Sequence, residues 1–129
     1  MKRLLFLICV LSIVSCKQPI KAQTKIVSIK EMQELIKNKE VQLIDVRTPK
    51  EYNEGFIEKA QNINYFSPTF NSDIETLDKQ KPIIVYCKKG GRSAKSAKKL
   101  QEAGFVEIYD LEGGITKWKS QGRPIKAKY

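Results

Sequence analysis

The chain has 129 residues, 41% of them hydrophobic and 29% charged, with a formal net charge of +10. That length buries one ordinary core but not two, and the hydrophobic share excludes a disordered chain. No histidine is present, which excludes a Cys-His protease or transferase because no imidazole is available to take a thiol proton.

Lys2 and Arg3 precede an apolar run from Leu4 to Val14, interrupted only by Ser12. Eleven helical residues rise about 16 Å, roughly half a bilayer core, so the run is too short to span a membrane. A basic start, a short apolar stretch and a small residue together read as a secretory leader. "IVSC", Ile13 to Cys16, resembles a bacterial lipoprotein lipobox, which implies cleavage before Cys16 and diacylation of its sulfur. An ordinary signal peptide cut nearby is the alternative. The expected organisation is a lipoprotein-type signal peptide over 1–15, a lipidated Cys16 and polar tether over 16–24, and one domain over 25–129. Such a protein is exported to the bacterial cell envelope, anchored by lipid and facing the periplasm.

This placement leaves Cys87 as the one free thiol, since Cys9 leaves with the leader and Cys16 carries lipid. An unpaired cysteine in an oxidising compartment is a liability unless its reactivity is wanted. Loss of Lys2 and Arg3 lowers the net charge to +8. For an exported chain this charge points to anionic lipid head groups or small anionic substrates as partners, and not to nucleic acid.

From residue 25 the chain alternates strand and helix signals. "KIVSI" is a short strand. Ser28 and Glu31 form a capping box ahead of an apolar stripe of Ile29, Met32, Leu35 and Ile36. "VQLIDV" reads as a buried strand, and "TPKEY" starts a short helix with Thr48 as N-cap and Pro49 at the first helical position. "AQNINY" is a further strand, and "SPTFNSDIETL" predicts a helix from about Pro68. "IIVY" after Pro82 is a central, fully buried strand. "SAKSAKKLQEAG" is a helix stopped by Gly104, "FVEIYD" a strand, and "GGITKWKSQG" a last short helix. The alternation predicts an α/β fold, a central parallel sheet of about five strands with helices on both faces. In such sheets the working residues lie beyond the carboxyl ends of the strands, where Cys87 falls.

"YCKKGGRS", residues 86–93, surrounds that thiol with positive charge. A thiol reacts as its thiolate, and without histidine the activation must come from the loop itself. The strand-to-helix junction offers the free amides of a first helical turn. Gly90 and Gly91 permit the dihedrals that turn N–H groups inward, and Lys88, Lys89 and Arg92 add charge. From Lys79 to Gln101 there are eight basic residues and no acidic one. Arg92, fixed at the loop's end, is a functional candidate, whereas Lys95, Lys98 and Lys99 read as a solvated helix face. The scheme requires a sulfur open to solvent with N–H groups turned on it.

Three segments resemble the rhodanese family in order and spacing, over about residues 26–125. "LIDVRTPKEYNEGFIEKAQNI" is similar to its N-terminal signature, "VYCKKGGRSAKSAKKLQEAGF" to its Cys-x-x-Gly-x-Arg loop and helix, and "DLEGGITKWKSQGRPI" to its C-terminal Gly-Gly-x-x-x-Trp signature. The resemblance implies a sulfurtransferase that moves a sulfane sulfur from thiosulfate or a persulfide donor to a thiophilic acceptor through a Cys87 persulfide. It implies catalytic roles for Cys87 and Arg92, the latter holding the loop or contacting an anionic donor. Lys88, Lys89, Gly90, Gly91 and Ser93 would form the persulfide-binding loop, with the amides of Lys88 to Arg92 cradling the sulfur. Asp45 and Arg47 would be a supporting ion pair, and Gly113, Gly114 and Trp118 structural. Phe56 stands where the family commonly has histidine, a position usually taken as structural.

Four residues separate Cys87 from Arg92, as in sulfurtransferase members, whereas related phosphatases have five. No cofactor or metal is expected. The partners implied are a small anionic sulfur donor, a thiol acceptor (small molecule or thioredoxin-like protein), and a membrane through the lipid. The rival readings are a thiol reductant or phosphatase using the same cysteine, and a non-catalytic binding module on the same fold.

Overall fold

Ile83–Tyr86 (β4) has all four residues buried, as a β-branched run at the middle of a sheet demands. The computed structural model describes Ser15 and residues 21–128. Nearly all of the expected leader, the lipidation site Cys16 and the tether up to residue 20 lie outside the described residues. Among the described residues no helix is long and apolar enough to cross a membrane.

The elements in chain order are β1 (Thr24–Val27), α1 (Ile29–Asn38), β2 (Gln42–Asp45), α2 (Pro49–Glu54), β3 (Gln61–Asn62), α3 (Phe70–Ile74), β4, α4 (Gly91–Glu102), β5 (Ile108–Leu111) and α5 (Gly114–Ser120). The five strands form one sheet in the order β1-β5-β4-β2-β3, and every pairing is parallel. The expected α/β architecture is therefore present, with helices on both faces.

Strand alternation divides the core in two. Ile84 and Tyr86 of β4 join Leu43, Tyr109 and Leu111 beneath Met32, Ile115 and Trp118. Ile83, Val85 and Cys87 face the other way, beneath Phe70, Ile74, Ala97 and Leu100 of α3 and α4. Cys87 thus continues the alternation of β4 and points its side chain toward α4.

Capping fixes two helix starts where the sequence places them. Ser28 accepts from the Glu31 N–H at 3.1 Å, and Thr48 accepts from the Glu51 N–H at 3.3 Å, each with the reciprocal glutamate bond of a capping box. Other boundaries move. α3 begins at Phe70, not Pro68, because Asn64 and Ser67 side chains bond the backbone N–H groups of Phe66 and Thr69 and hold the chain in turns. β3 pairs over two residues only. Beyond it, Ile63 and Tyr65 donate to the carbonyls of Asp45 and Val46, extending the edge without a regular ladder.

Candidate active site

The carboxyl end of β4 runs into a tight turn, Cys87 to Gly90, and α4 begins at Gly91. The Gly90 N–H donates to Cys87 Sγ at 3.1 Å, so the head of α4 presents a backbone dipole to the sulfur. Gly90 takes φ +131°, a conformation that favours glycine. Gly91 is not among the positive-φ glycines, so the expected sharing of the turn between the two glycines is corrected: Gly90 alone takes it. The cradle is also narrower than expected. Of the amides from Lys88 to Arg92, only that of Gly90 is bonded to the sulfur.

Cys87 is 1% exposed, so the expectation of an open sulfur is not met. Its thiol donates to Ser93 Oγ at 3.5 Å, and Ser93 itself donates to the Gly90 carbonyl at 3.1 Å. Lys88, Lys89 and Gly91 are exposed.

Arg92 is not a free guanidinium. Nη1 and Nη2 donate to the two Glu51 oxygens at 2.7 and 2.9 Å, tying the start of α4 to the first turn of α2. The guanidinium also stacks over the exposed ring of Phe66, 5.5 Å from its centroid. Arg92 holds Glu51 down at about 2, aided by the Thr48 backbone and hydroxyl and opposed by burial. Of the two roles expected for Arg92, holding the loop is the one its contacts make. In the sequence Glu51 is only the third residue of a short helix, with nothing to point to Arg92.

Asp45 and Arg47 lie under the loop as a buried pair, 0% and 4% exposed. Arg47 Nη2 donates to Asp45 Oδ2 at 2.6 Å and to the Gly55 carbonyl at 2.6 Å, and Nε donates to Asp45 Oδ1 at 3.0 Å. Burial pulls the Arg47 guanidinium down, but the Asp45 carboxylate outweighs it and leaves it raised.

α5 closes the other side. The Ile115 and Thr116 N–H groups donate to the Cys87 and Lys88 carbonyls at 3.0 and 3.1 Å. Gly114, at φ +57°, sits so close that a Cβ there would come within 2.5 Å of both carbonyl oxygens. Trp118 is buried, and its Nε1 donates to the Pro124 carbonyl at 2.9 Å. Phe56 stacks on Tyr52 with ring centroids 4.3 Å apart, a packing role. A cleft of about 220 Å³ opens beside the loop, lined by Arg47, Glu51, Glu54, Lys88, Ile115, Thr116 and Lys119. A larger groove of about 910 Å³ runs along α1 and β1 and touches none of the loop residues.

A parallel sheet with a cysteine turn at the carboxyl end of its central strand, backed by a helix N-terminus, defines a cysteine-loop α/β domain. The rhodanese-like domain family model matches residues 28–121, and the chain belongs to that family. It is 38% identical over 96 residues to the thiosulfate sulfurtransferase GlpE of Coxiella burnetii, covering 74% of this chain and 88% of that one. Among solved structures it is similar to a rhodanese-related protein from Thermoplasma volcanium (30% identity, TM-score 0.70, 79% of this chain and 97% of that one). It is likewise similar to the polysulfide-sulfur transferase homodimer from Wolinella succinogenes (32% identity, TM-score 0.67, 84% and 82%). Two of these three, the Coxiella and Wolinella proteins, are named as sulfur transferases.

Proposed function

We propose that the domain is a sulfurtransferase in which Cys87 carries the sulfur. The observation that carries this reading is the Gly90 N–H at 3.1 Å from Cys87 Sγ, at the head of α4 in a loop with four residues between cysteine and arginine. A thiolate there attacks the outer sulfur of thiosulfate. The new S–S bond forms as the bond to the sulfonate sulfur breaks, sulfite leaves with the electron pair, and Cys87 is left as a persulfide anion. A nucleophile such as cyanide or a thiolate then takes the outer sulfur and returns Cys87 to thiolate. Two half-reactions through a covalent intermediate give ping-pong kinetics.

The approach of one anion to another is helped by Lys88 and Lys119 along the cleft, and Arg92 contributes by pinning the turn. With Cys87 1% exposed, attack requires the Lys88–Gly91 turn to part from the sulfur. Thiocyanate formation from thiosulfate and cyanide, measured beside phosphate release, tests the reading. Sulfur transfer that Cys87→Ser abolishes supports it, whereas phosphate release without transfer favours the phosphatase. Neither activity, with Cys87 intact, favours the binding module.

The domain is proposed to work at a membrane of the cell envelope, tethered through lipid on Cys16. The support is the apolar run ending in "IVSC". Metabolic labelling with a fatty acid, lost in Cys16→Ala, is the test.

A further inference from the structure

Phe66 is the one aromatic among the exposed large hydrophobic side chains of the described residues, 64% open to solvent. Single exposed apolar side chains are common, but this one is held in place. Its N–H donates to Asn64 Oδ1 at 3.0 Å, and its ring meets Tyr65 edge-on at 5.6 Å. The Arg92 guanidinium covers one side of it. The neighbouring rings of Tyr65 and Phe70 pack into the core cluster that contains Cys87. Phe66 therefore stands at the end of the cysteine turn, fixed in position and facing water.

Cations surround this ring. Arg92, Lys95 and Lys99 fall at i, i+3 and i+7 of α4 and so share one face of the helix. Lys99 is not the solvated side chain expected, for its Nζ lies 5.2 and 5.3 Å over Tyr65 and Phe70. Lys95 is exposed, as are Lys88 and Lys89 on the turn. The carboxylates on this side are engaged already, Glu51 with Arg92 and Asp73 with the Thr69 hydroxyl at 2.9 Å. What faces solvent is an apolar ring in a positive field.

Thiosulfate and cyanide have charge but no apolar area to bury, so the ring offers them nothing. We propose that Phe66, Lys95 and the lysines of the turn form the docking surface for a protein acceptor whose cysteine is flanked by acidic and aliphatic residues. Charge complementarity selects this occupant, and an aromatic anchor within a polar rim is where binding energy concentrates. The inference rests on the sulfur-transfer reading of Cys87 and names its acceptor. The docked cysteine thiolate attacks the outer sulfur of the Cys87 persulfide. A new S–S bond forms as the bond to Cys87 Sγ breaks, Cys87 leaves as thiolate, and the partner departs as the persulfide.

Thiol–disulfide exchange tests the docking without any sulfur donor. The full chain is mixed with short peptides whose central cysteine carries a thiopyridyl group. The Cys87 thiolate attacks the peptide sulfur, and pyridinethione leaves with the electron pair and is read by its absorbance. One peptide has glutamates and a leucine beside the cysteine, and a second has lysines in place of the glutamates. Dithiodipyridine is the small reagent.

Wild type should react with the acidic peptide about tenfold faster than with the basic one, the gap shrinking as salt is added. Phe66→Ala and Lys95→Glu should each slow the acidic peptide by about fivefold to tenfold and leave the dithiodipyridine rate unchanged. An acidic peptide that reacts no faster than the basic one overturns the proposal. So does a Phe66→Ala variant that slows both reagents equally, because the ring would then only steady Arg92, and so does one that slows neither. If Phe66→Ala instead loses binding to phosphatidylglycerol vesicles while its peptide rates stay put, the surface belongs to lipid and the proposal falls. Failure of sulfur transfer to cyanide, with the peptide pattern intact, would overturn the sulfurtransferase reading and leave the docking surface standing.

Discussion

Arg92 and Glu51, 41 positions apart, meet through two hydrogen bonds of 2.7 and 2.9 Å that join the head of α4 to the first turn of α2. The pair is partly buried, with side chains 18% and 29% exposed, and its planar fork-to-fork geometry fixes the end of the cysteine turn. Glu51 thus serves twice, closing the capping box of its own helix and holding the loop's arginine.

Because Arg92 holds Glu51 at about 2, well below its ordinary 4.5, the folded state binds that proton more weakly than the unfolded chain. The stability so gained is full above pH 4.5 and is lost as pH falls toward 2. Glu51→Gln should cost about 1–3 kcal/mol at neutral pH and flatten the acid limb of the stability curve in that window. Thermal melts of both proteins across the acid range check it. Parallel curves for the two would deny the pair this role.

Gly114 should tolerate no side chain. At φ +57° an L-residue is strained, and its Cβ would meet the Cys87 and Lys88 carbonyl oxygens at 2.5 Å. Gly114→Ala is expected to cost about 2–4 kcal/mol and to lower sulfur transfer as the loop shifts. Urea unfolding and turnover give the two readouts, and a neutral effect on both would contradict the packing of α5 on the loop.

Asp45→Ala strands the Arg47 guanidinium in a site where it is 4% exposed. Removing one partner of a buried pair costs about 3–5 kcal/mol. The matched double variant Asp45→Leu with Arg47→Met should recover much of that loss, and equilibrium unfolding of all three variants measures the difference.

Lys88→Glu reverses an exposed charge beside the sulfur. It should slow Cys87 alkylation at neutral pH by about threefold at low salt, with the gap closing as salt is added, because exposed charges are screened. Identical rates in the two proteins would remove Lys88 from the activation of the thiol.

Local signals made most of the fold legible. The Ser28 capping box, the Thr48 N-cap, Pro49, and the "IIVY" run each act within a few residues, and each marks an element where it was expected. α3 started late because Asn64 and Ser67 bond the preceding turns, a competition that a Ser-Pro start signal does not reveal. The site was legible as a list of loop residues but not as a set of contacts. Nothing near Glu51 in sequence names Arg92. Their meeting arises from chain segments brought together by the fold. Burial of Cys87 is of the same kind, for it depends on how α4 and α5 close over the turn.

The central claim is that Cys87 carries sulfur, and intact-mass and peptide mass spectrometry after treatment with thiosulfate tests it most directly. The expected result is a gain of one sulfur atom on the peptide containing Cys87, discharged by cyanide with release of thiocyanate and absent in Cys87→Ser. No gain on that peptide, or a gain that persists in Cys87→Ser, would contradict it.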